Sequence, residues 1–205
     1  MDYLEAIKAY NVREALPSTG KTALLVIDMQ RYFEGVARPI LKNVLSLLSA
    51  CRTAEMKIAY TRHGHQDPKV DGGMLARWWG DVIRYGDPEW ELIKEFHPRP
   101  GEPIFDKTRY SAFHGTNLDA WLNENGIEDL IVTGVLTNCC CETTARDAFV
   151  RDYRVLFVAD GTATVNEELH LASLKNLAFG FAHVVDVKVL CDWAKSTPHP
   201  SRRGI

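Results

Sequence analysis

Short apolar runs alternate along the chain with segments whose apolar residues recur three and four positions apart. The run at residues 23–27, Ala-Leu-Leu-Val-Ile, is continuously apolar, which predicts a strand buried on both faces. Further strands are predicted at residues 57–61, 104–105, 130–133, 155–158 and 183–185. The helical spacing predicts helices at residues 1–10, 39–54, 90–96, 118–125, 138–151 and 167–179, and a last one that ends near residue 195.

Strands and helices that alternate in this way are typical of a three-layer α/β/α sandwich with a mainly parallel central sheet. A length of 205 residues suits one domain with a full core. We therefore predict a single domain over residues 1–205, with its core at about 21–190. Residues 62–103 are less periodic and hold several Gly and Pro, so we interpret them as a variable excursion from this pattern.

The composition is that of an ordinary globular protein, with 46% hydrophobic residues, 25% charged residues and a net charge of −3. This balance argues against nucleic-acid and membrane partners, and no apolar run reaches the roughly 18 residues of a spanning helix. Residues 1–10 carry Asp2, Glu5 and Lys8, which indicates an amphipathic helix rather than a signal peptide. Five cysteines, three of them consecutive, fit a reducing compartment. We therefore predict a cytoplasmic protein.

Polar side chains stand where three of the predicted strands end. Asp28 follows the first strand, Lys107 follows the third, and Cys140 lies in the first turn of the helix after the fourth. Because the carboxyl ends of parallel strands meet at one edge of a sheet, these side chains can come within hydrogen-bond reach. A helix N-terminus and an ammonium group both favour a thiolate, and a carboxylate can accept and return its proton. The plainer alternatives are a turn-forming Asp, a solvated Lys and a core Cys.

Helical spacing separates only one of the three consecutive cysteines from the others. Cys141 shares an apolar stripe with Ala145 and Ala148, so we predict that it belongs to the core. Cys139 and Cys140 point to other sides of the helix. The periodicity does not decide which of these two is the nucleophile.

Three segments resemble the motifs of one enzyme family. Residues 23–33 (ALLVIDMQRYF) are similar to the first-strand motif of isochorismatase-like hydrolases, and residues 105–113 (FDKTRYSAF) to their lysine motif. Residues 132–148 (VTGVLTNCCCETTARDA) are similar to the family signature. The motifs stand in family order and spacing, and the likeness runs from about Lys21 to Asp186. The chain therefore resembles the isochorismatase-like cysteine hydrolases.

The resemblance implies roles that the residue pattern leaves open. It makes Asp28, Lys107 and Cys140 a catalytic triad, and so selects Cys140 over Cys139. It also implies a non-proline cis peptide bond between Val135 and Leu136. The backbone N–H groups of Leu136 and Cys140 would then form an oxyanion hole.

The family contains two chemistries, and we weigh both. Its isochorismatases cleave an enol ether by proton transfer and typically carry Gly at the nucleophile position, so Cys140 favours hydrolysis of an amide C–N bond through a thioester. The alternative is an ether hydrolase with Asp28 as general acid, which the similarity of residues 109–114 and 168–175 to isochorismatase segments supports. A scaffold or sensor domain without turnover is a third hypothesis, against which the intact triad argues.

Within the cysteine branch, the chain is most similar to plant-type nicotinamidases, at residues 61–65, 72–75 and 110–113. Microbial nicotinamidases hold a metal through a D-x-H pair and a later His. Here His63 replaces the Asp, His65 keeps the His, and no further His precedes His97. We therefore predict no metal and no other cofactor.

Aromatic residues near these motifs predict the walls of the substrate pocket. A flat substrate such as a pyridine carboxamide would suit aromatic walls. The predicted substrate-binding residues are Phe33, His63, Trp78, Trp79, Tyr110 and Phe113. The predicted partners are a small-molecule substrate and further copies of the chain, since members of the family tend to form homo-oligomers.

Overall fold

A six-stranded parallel sheet forms the centre of the fold in the computed structural model, which describes residues 2–14, 17 and 20–196. The strands are β1 (Thr22–Ile27), β2 (Lys57–His63), β3 (Ile104–Lys107), β4 (Asp129–Val135), β5 (Arg154–Ala163) and β6 (His183–Val185). Their order in the sheet is β3-β2-β1-β4-β5-β6, and every neighbouring pair is parallel. The predicted fold class is confirmed.

Helices connect the strands and cover both faces of the sheet. Over the described residues they are α1 (Tyr3–Ile7), α2 (Glu34–Ala37), α3 (Leu41–Thr53), α4 (Pro68–Asp71), α5 (Gly73–Trp79), α6 (Leu118–Glu124), α7 (Glu142–Phe149), α8 (Glu167–Gly180) and α9 (Val187–Ser196). Within these ranges, no helix has both the length and the apolar character needed to cross a bilayer.

The continuous apolar run of β1 is explained by burial on both faces of the sheet. Leu25 and Ile27 belong to a core on one face, which includes side chains of α1, α6, α7 and α8. Leu24 and Val26 belong to a second core on the other face, which includes side chains of α3 and α9. Since each successive side chain enters one of the two cores, no polar position alternates with the apolar ones.

The excursion at residues 62–103 departs most from the predicted elements. The predicted helix at 90–96 is wrong, because two backbone groups of this segment bond to the segment after β1. Arg31 N–H donates to the Glu91 carbonyl, and Ile93 N–H donates to the Met29 carbonyl, both at 2.9 Å. Conversely, α4 and α5 form where no helix was predicted. Much of the apolar surface of α5 faces solvent, so its sequence lacks an inward-facing stripe.

The strand order reverses between β1 and β4, and α/β sheets bind ligands at such a switch point. Gly134 makes the close approach of these two strands possible. Its φ is 118°, and a Cβ placed on it would lie 2.0 Å from the carbonyl oxygen of Ile27. A side chain at this position would therefore push apart the strands that carry Asp28 and the cysteine turn.

Candidate active site

Asp28 leaves β1 in a backbone conformation that few side-chain-bearing residues adopt. Its φ is +47°, in the left-handed region, where Asp is tolerated better than most residues. Two hydrogen bonds to Thr61 of β2 hold it: Asp28 N–H donates to Thr61 Oγ1 at 3.1 Å, and the Thr61 hydroxyl donates to Asp28 Oδ1 at 2.6 Å. The carboxylate is thereby fixed in a fully buried position, with Oδ2 left for another partner.

Lys107 is the last residue of β3, and its ammonium group is enclosed by protein. Nζ donates to Asp28 Oδ2 at 2.7 Å, to the Arg109 carbonyl at 3.1 Å and to Cys140 Sγ at 3.3 Å. These bonds use all three of its hydrogens. The three residues predicted from the strand ends therefore meet in space, with Lys107 between the carboxylate and the thiol.

The charges of this cluster differ from those that the sequence pattern suggests. Burial lowers the pKa of Lys107, but its contacts with Asp28 and Cys140 together outweigh burial and hold the pKa above its ordinary value of 10.5. Burial raises the pKa of the Cys140 thiol well above its ordinary value, and Lys107 only partly opposes this. These shifts favour an ion pair between Asp28 and Lys107 beside a protonated thiol. Burial is the main reason why a thiolate is not favoured, and the charge of Asp28 acts in the same direction.

The three consecutive cysteines lie in one turn of π-helix, Thr137–Cys141, that leads into α7. The peptide bond between Val135 and Leu136, just before this turn, is cis. Cys141 is fully buried in the core, as its spacing predicts. Cys139 is partly exposed and its sulfur is not bonded to Lys107, whereas Cys140 is. Geometry therefore separates the two thiols that periodicity could not.

A cavity of about 440 Å³ opens over Cys140. Of the predicted pocket residues, it is lined by Phe33, His63, Trp79 and Tyr110. Trp79 Nε1 donates to the Tyr110 hydroxyl at 2.8 Å, which joins the two rings into one wall. The size and the aromatic lining suit a small planar molecule.

Two predicted pocket residues lie elsewhere. Trp78 is 76% exposed and lines a separate groove with Met74 and Arg109, because α5 turns this side chain away from the cavity. Phe113 is buried in the core, where its ring stacks on Tyr153 with a centroid distance of 6.0 Å. Both residues were predicted to line the pocket because they lie near a motif in the sequence. The direction of each side chain instead places Trp78 in the groove and Phe113 in the core.

His63 and His65 end in different surroundings. The two rings meet edge to face at 5.2 Å, and His65 Nδ1 lies 3.2 Å from Asp71 Oδ1. Among the described residues, no group of three or more His, Cys, Asp or Glu side chains is placed to hold a metal ion. Of these two histidines, His63 lines the cavity.

Two residues that position the site were not predicted from the sequence. Thr61 orients Asp28, and its signal was a hydroxyl at the end of the strand predicted at 57–61. Gln30 bridges two segments: its amide accepts from His63 N–H at 2.8 Å, and donates to the carbonyls of His63 and Trp90 at 2.9 and 2.8 Å. Its signal was a polar side chain two residues after Asp28, at a position that proves to be fully buried.

A buried thiol, a carboxylate and an ammonium at the carboxyl edge of a parallel sheet define a hydrolase-type site of the cysteine class. The isochorismatase domain model matches residues 22–189, most of the chain, and the chain belongs to this family. The predicted family is thus confirmed.

A similar protein sequence and two similar solved structures agree with this assignment. The chain is 48% identical to Nicotinamidase 3 of Arabidopsis thaliana over 182 residues, which cover 87% of this chain and 91% of the relative. A cysteine hydrolase from Pseudomonas syringae pv. phaseolicola superposes with a TM-score of 0.85 at 29% identity, covering 90% of this chain and 97% of the other. N-carbamoylsarcosine amidase from Thermoplasma acidophilum superposes with a TM-score of 0.73 at 28% identity, covering 82% of this chain and 96% of the other. The predicted hydrolase class is confirmed.

Proposed function

We propose that this protein hydrolyses the C–N bond of a small planar amide through a thioester on Cys140, and that a pyridine carboxamide of the nicotinamide type is its substrate. One observation carries the proposal: Cys140 Sγ lies in an aromatic-walled cavity and 3.3 Å from an ammonium that also binds Asp28. The relative named Nicotinamidase 3 supports the choice of amide.

The mechanism starts from the neutral thiol. As the amide carbon approaches Cys140 Sγ, the thiol proton passes to Asp28 and the C–S bond forms. Asp28 then gives this proton to the leaving nitrogen, the C–N bond breaks, and ammonia and a thioester remain. Water next adds to the thioester with Asp28 as base, which releases the carboxylic acid and restores the thiol. Lys107 keeps Asp28 oriented and balances its negative charge.

The oxyanion of each tetrahedral intermediate requires hydrogen-bond donors. We assign this role to the backbone N–H groups of Leu136 and Cys140. Leu136 lines the cavity beside Cys140, which places this stretch of backbone next to the reacting carbon. Preorganised donors of this kind stabilise the transition state strongly, because they need no reorganisation during the reaction.

Trapping the intermediate tests this function directly. With nicotinamide as substrate, we expect ammonia and acid in a one-to-one ratio, and an acyl adduct on the enzyme after acid quench. Fragment masses of the peptide at residues 110–146 should place the adduct on Cys140, with Cys139 and Cys141 unmodified. Ammonia release with the adduct on Cys139 would contradict the assignment of the nucleophile. The absence of ammonia would contradict the choice of substrate.

We also propose that the protein is a cytoplasmic homo-oligomer. All five cysteines are free, which suits a reducing compartment, and cell fractionation tests the location. Helix α5 presents Met74, Trp78 and Trp79 to solvent at 63%, 76% and 56% exposure, an apolar surface that a second copy would cover.

Replacing Trp78 by serine is expected to shift the protein towards monomers, because it removes the largest exposed ring from this surface. Sedimentation velocity at several protein concentrations measures the shift. Val150→Ser is the control. Val150 is also strongly exposed, at 71%, but it lies at the C-terminal end of α7 and is not part of the α5 surface. An unchanged mass distribution for Trp78→Ser would exclude this surface as the interface.

A further inference from the structure

His63 is one of the polar side chains that line the cavity, and the triad chemistry has no use for it. It ends β2, where it pairs with Lys107 of β3, and its backbone is held on both sides by the Gln30 amide. Only 9% of the residue is exposed. The backbone of His63 is therefore fixed, and its ring packs edge to face against His65 in the cavity wall.

The two ring nitrogens of His63 are in different positions. Nδ1 is enclosed by protein and has no hydrogen-bond partner among the described residues. Nε2 is not enclosed, and no described residue hydrogen-bonds to it. A buried N–H without an acceptor is rarer and less tolerated than a buried lone pair, so the favoured tautomer carries its proton on Nε2. His63 therefore offers an N–H donor at the cavity surface.

The ring is neutral at physiological pH. Burial lowers the pKa of His63 to about 4, and the positive charge of Lys107 acts in the same direction. The neutral His63 ring can therefore donate a hydrogen bond to an uncharged acceptor on the substrate. The remaining walls near it are largely apolar, with Phe33, Val36 and Leu136 among them. An acceptor on the substrate would find few other donors there.

We propose that His63 selects amides that carry a second hydrogen-bond acceptor in the plane of the ring, of the kind that a pyridine nitrogen presents, by donating a hydrogen bond from Nε2. This assignment rests on the proposed amidase function and adds to it what the flat part of the substrate must contain. A substrate without the acceptor leaves the Nε2 hydrogen unpaired once water is expelled, and is rejected for that reason.

Nicotinamide and benzamide form the matched pair of probes, because they differ only in the ring nitrogen. Ammonia release gives kcat/KM for both, and the ratio of the two values is the readout. We expect the wild-type ratio to favour nicotinamide by about 10- to 100-fold, and His63→Phe to lower that ratio to within about threefold of unity. His63→Gln should restore part of it, because a glutamine amide nitrogen can reach the place of Nε2.

The ratio separates recognition from a structural role. A variant that merely loosens the site slows both amides together and leaves the ratio unchanged, and this result for His63→Phe would overturn the assignment. Val36→Ala, which reshapes an apolar part of the wall, should keep the wild-type ratio. Equal kcat/KM values for both amides in the wild type would overturn the assignment of His63 but would leave the proposed amidase function intact. Failure of the wild type to hydrolyse either amide would overturn the proposed function, and this assignment with it.

Discussion

Replacing Cys140 by alanine is expected to lower kcat/KM for amide hydrolysis by about 10⁴-fold or more, to the background set by binding alone. The variant lacks the atom that forms the thioester, and among the described residues no other thiol bonds to Lys107. Cys140→Ser is expected to be nearly as inactive, since a buried hydroxyl loses its proton far less readily than a thiol. Ammonia release at saturating substrate gives kcat, and ammonia release at low substrate concentration gives kcat/KM.

Cys139 provides the matched control for this experiment. Its sulfur lies in the same cavity but not against Lys107, so Cys139→Ser is expected to keep activity within about tenfold of the wild type. Both variants should fold, because each removes or changes a single atom group of a small side chain. If Cys140→Ala keeps full hydrolysis of the natural substrate, the thioester mechanism is wrong. The enol-ether reaction with Asp28 as general acid should then be assayed.

Replacing Lys107 by methionine is expected to destabilise the protein by about 3–5 kcal/mol and to remove activity. The variant leaves the Asp28 carboxylate buried without its only salt-bridge partner in the described structure, and an uncompensated buried charge is strongly unfavourable. Urea denaturation at pH 7 gives the free energy of unfolding. Lys175→Met changes a charged side chain on the exposed part of α8 and should leave stability within about 0.5 kcal/mol of the wild type.

A second change distinguishes charge compensation from packing. The double variant Asp28→Asn/Lys107→Met removes both charges, so it is expected to recover much of the lost stability while remaining inactive. If the double variant is as unstable as Lys107→Met, the loss arises from packing instead of from the unpaired carboxylate. Activity that survives in Lys107→Met would contradict the role given to Lys107.

The ion pair also predicts how stability depends on pH. The folded-state pKa of Lys107 lies above its ordinary value of 10.5, so its contribution is fully present below pH 10.5 and is lost as pH rises through the folded-state pKa. Lys107→Met removes this alkaline loss. Unfolding curves of the wild type and the variant between pH 7 and pH 11 measure the difference.

The parts of the fold that were predicted well have strong local signals. The apolar run of β1 reflects a strand that is buried on both faces. The apolar stripe that includes Cys141 reflects a helix that is buried on one face. The helix predicted at 90–96 failed because Glu91 and Ile93 bond to the chain next to β1, a contact between segments about 60 residues apart. Local spacing contains no information on such a contact.

Taken alone, the sequence determined the α/β class and the residues at the strand ends, and by family likeness it predicted Cys140 as the nucleophile. Only the tertiary structure decided that burial raises the pKa of Cys140, that Trp78 and Phe113 lie outside the cavity, and that the His63 ring lines it. Chain order and residue type are local properties. A protonation state depends on every charge and on all the protein packed around a group, and the direction of a side chain depends on elements distant in the chain.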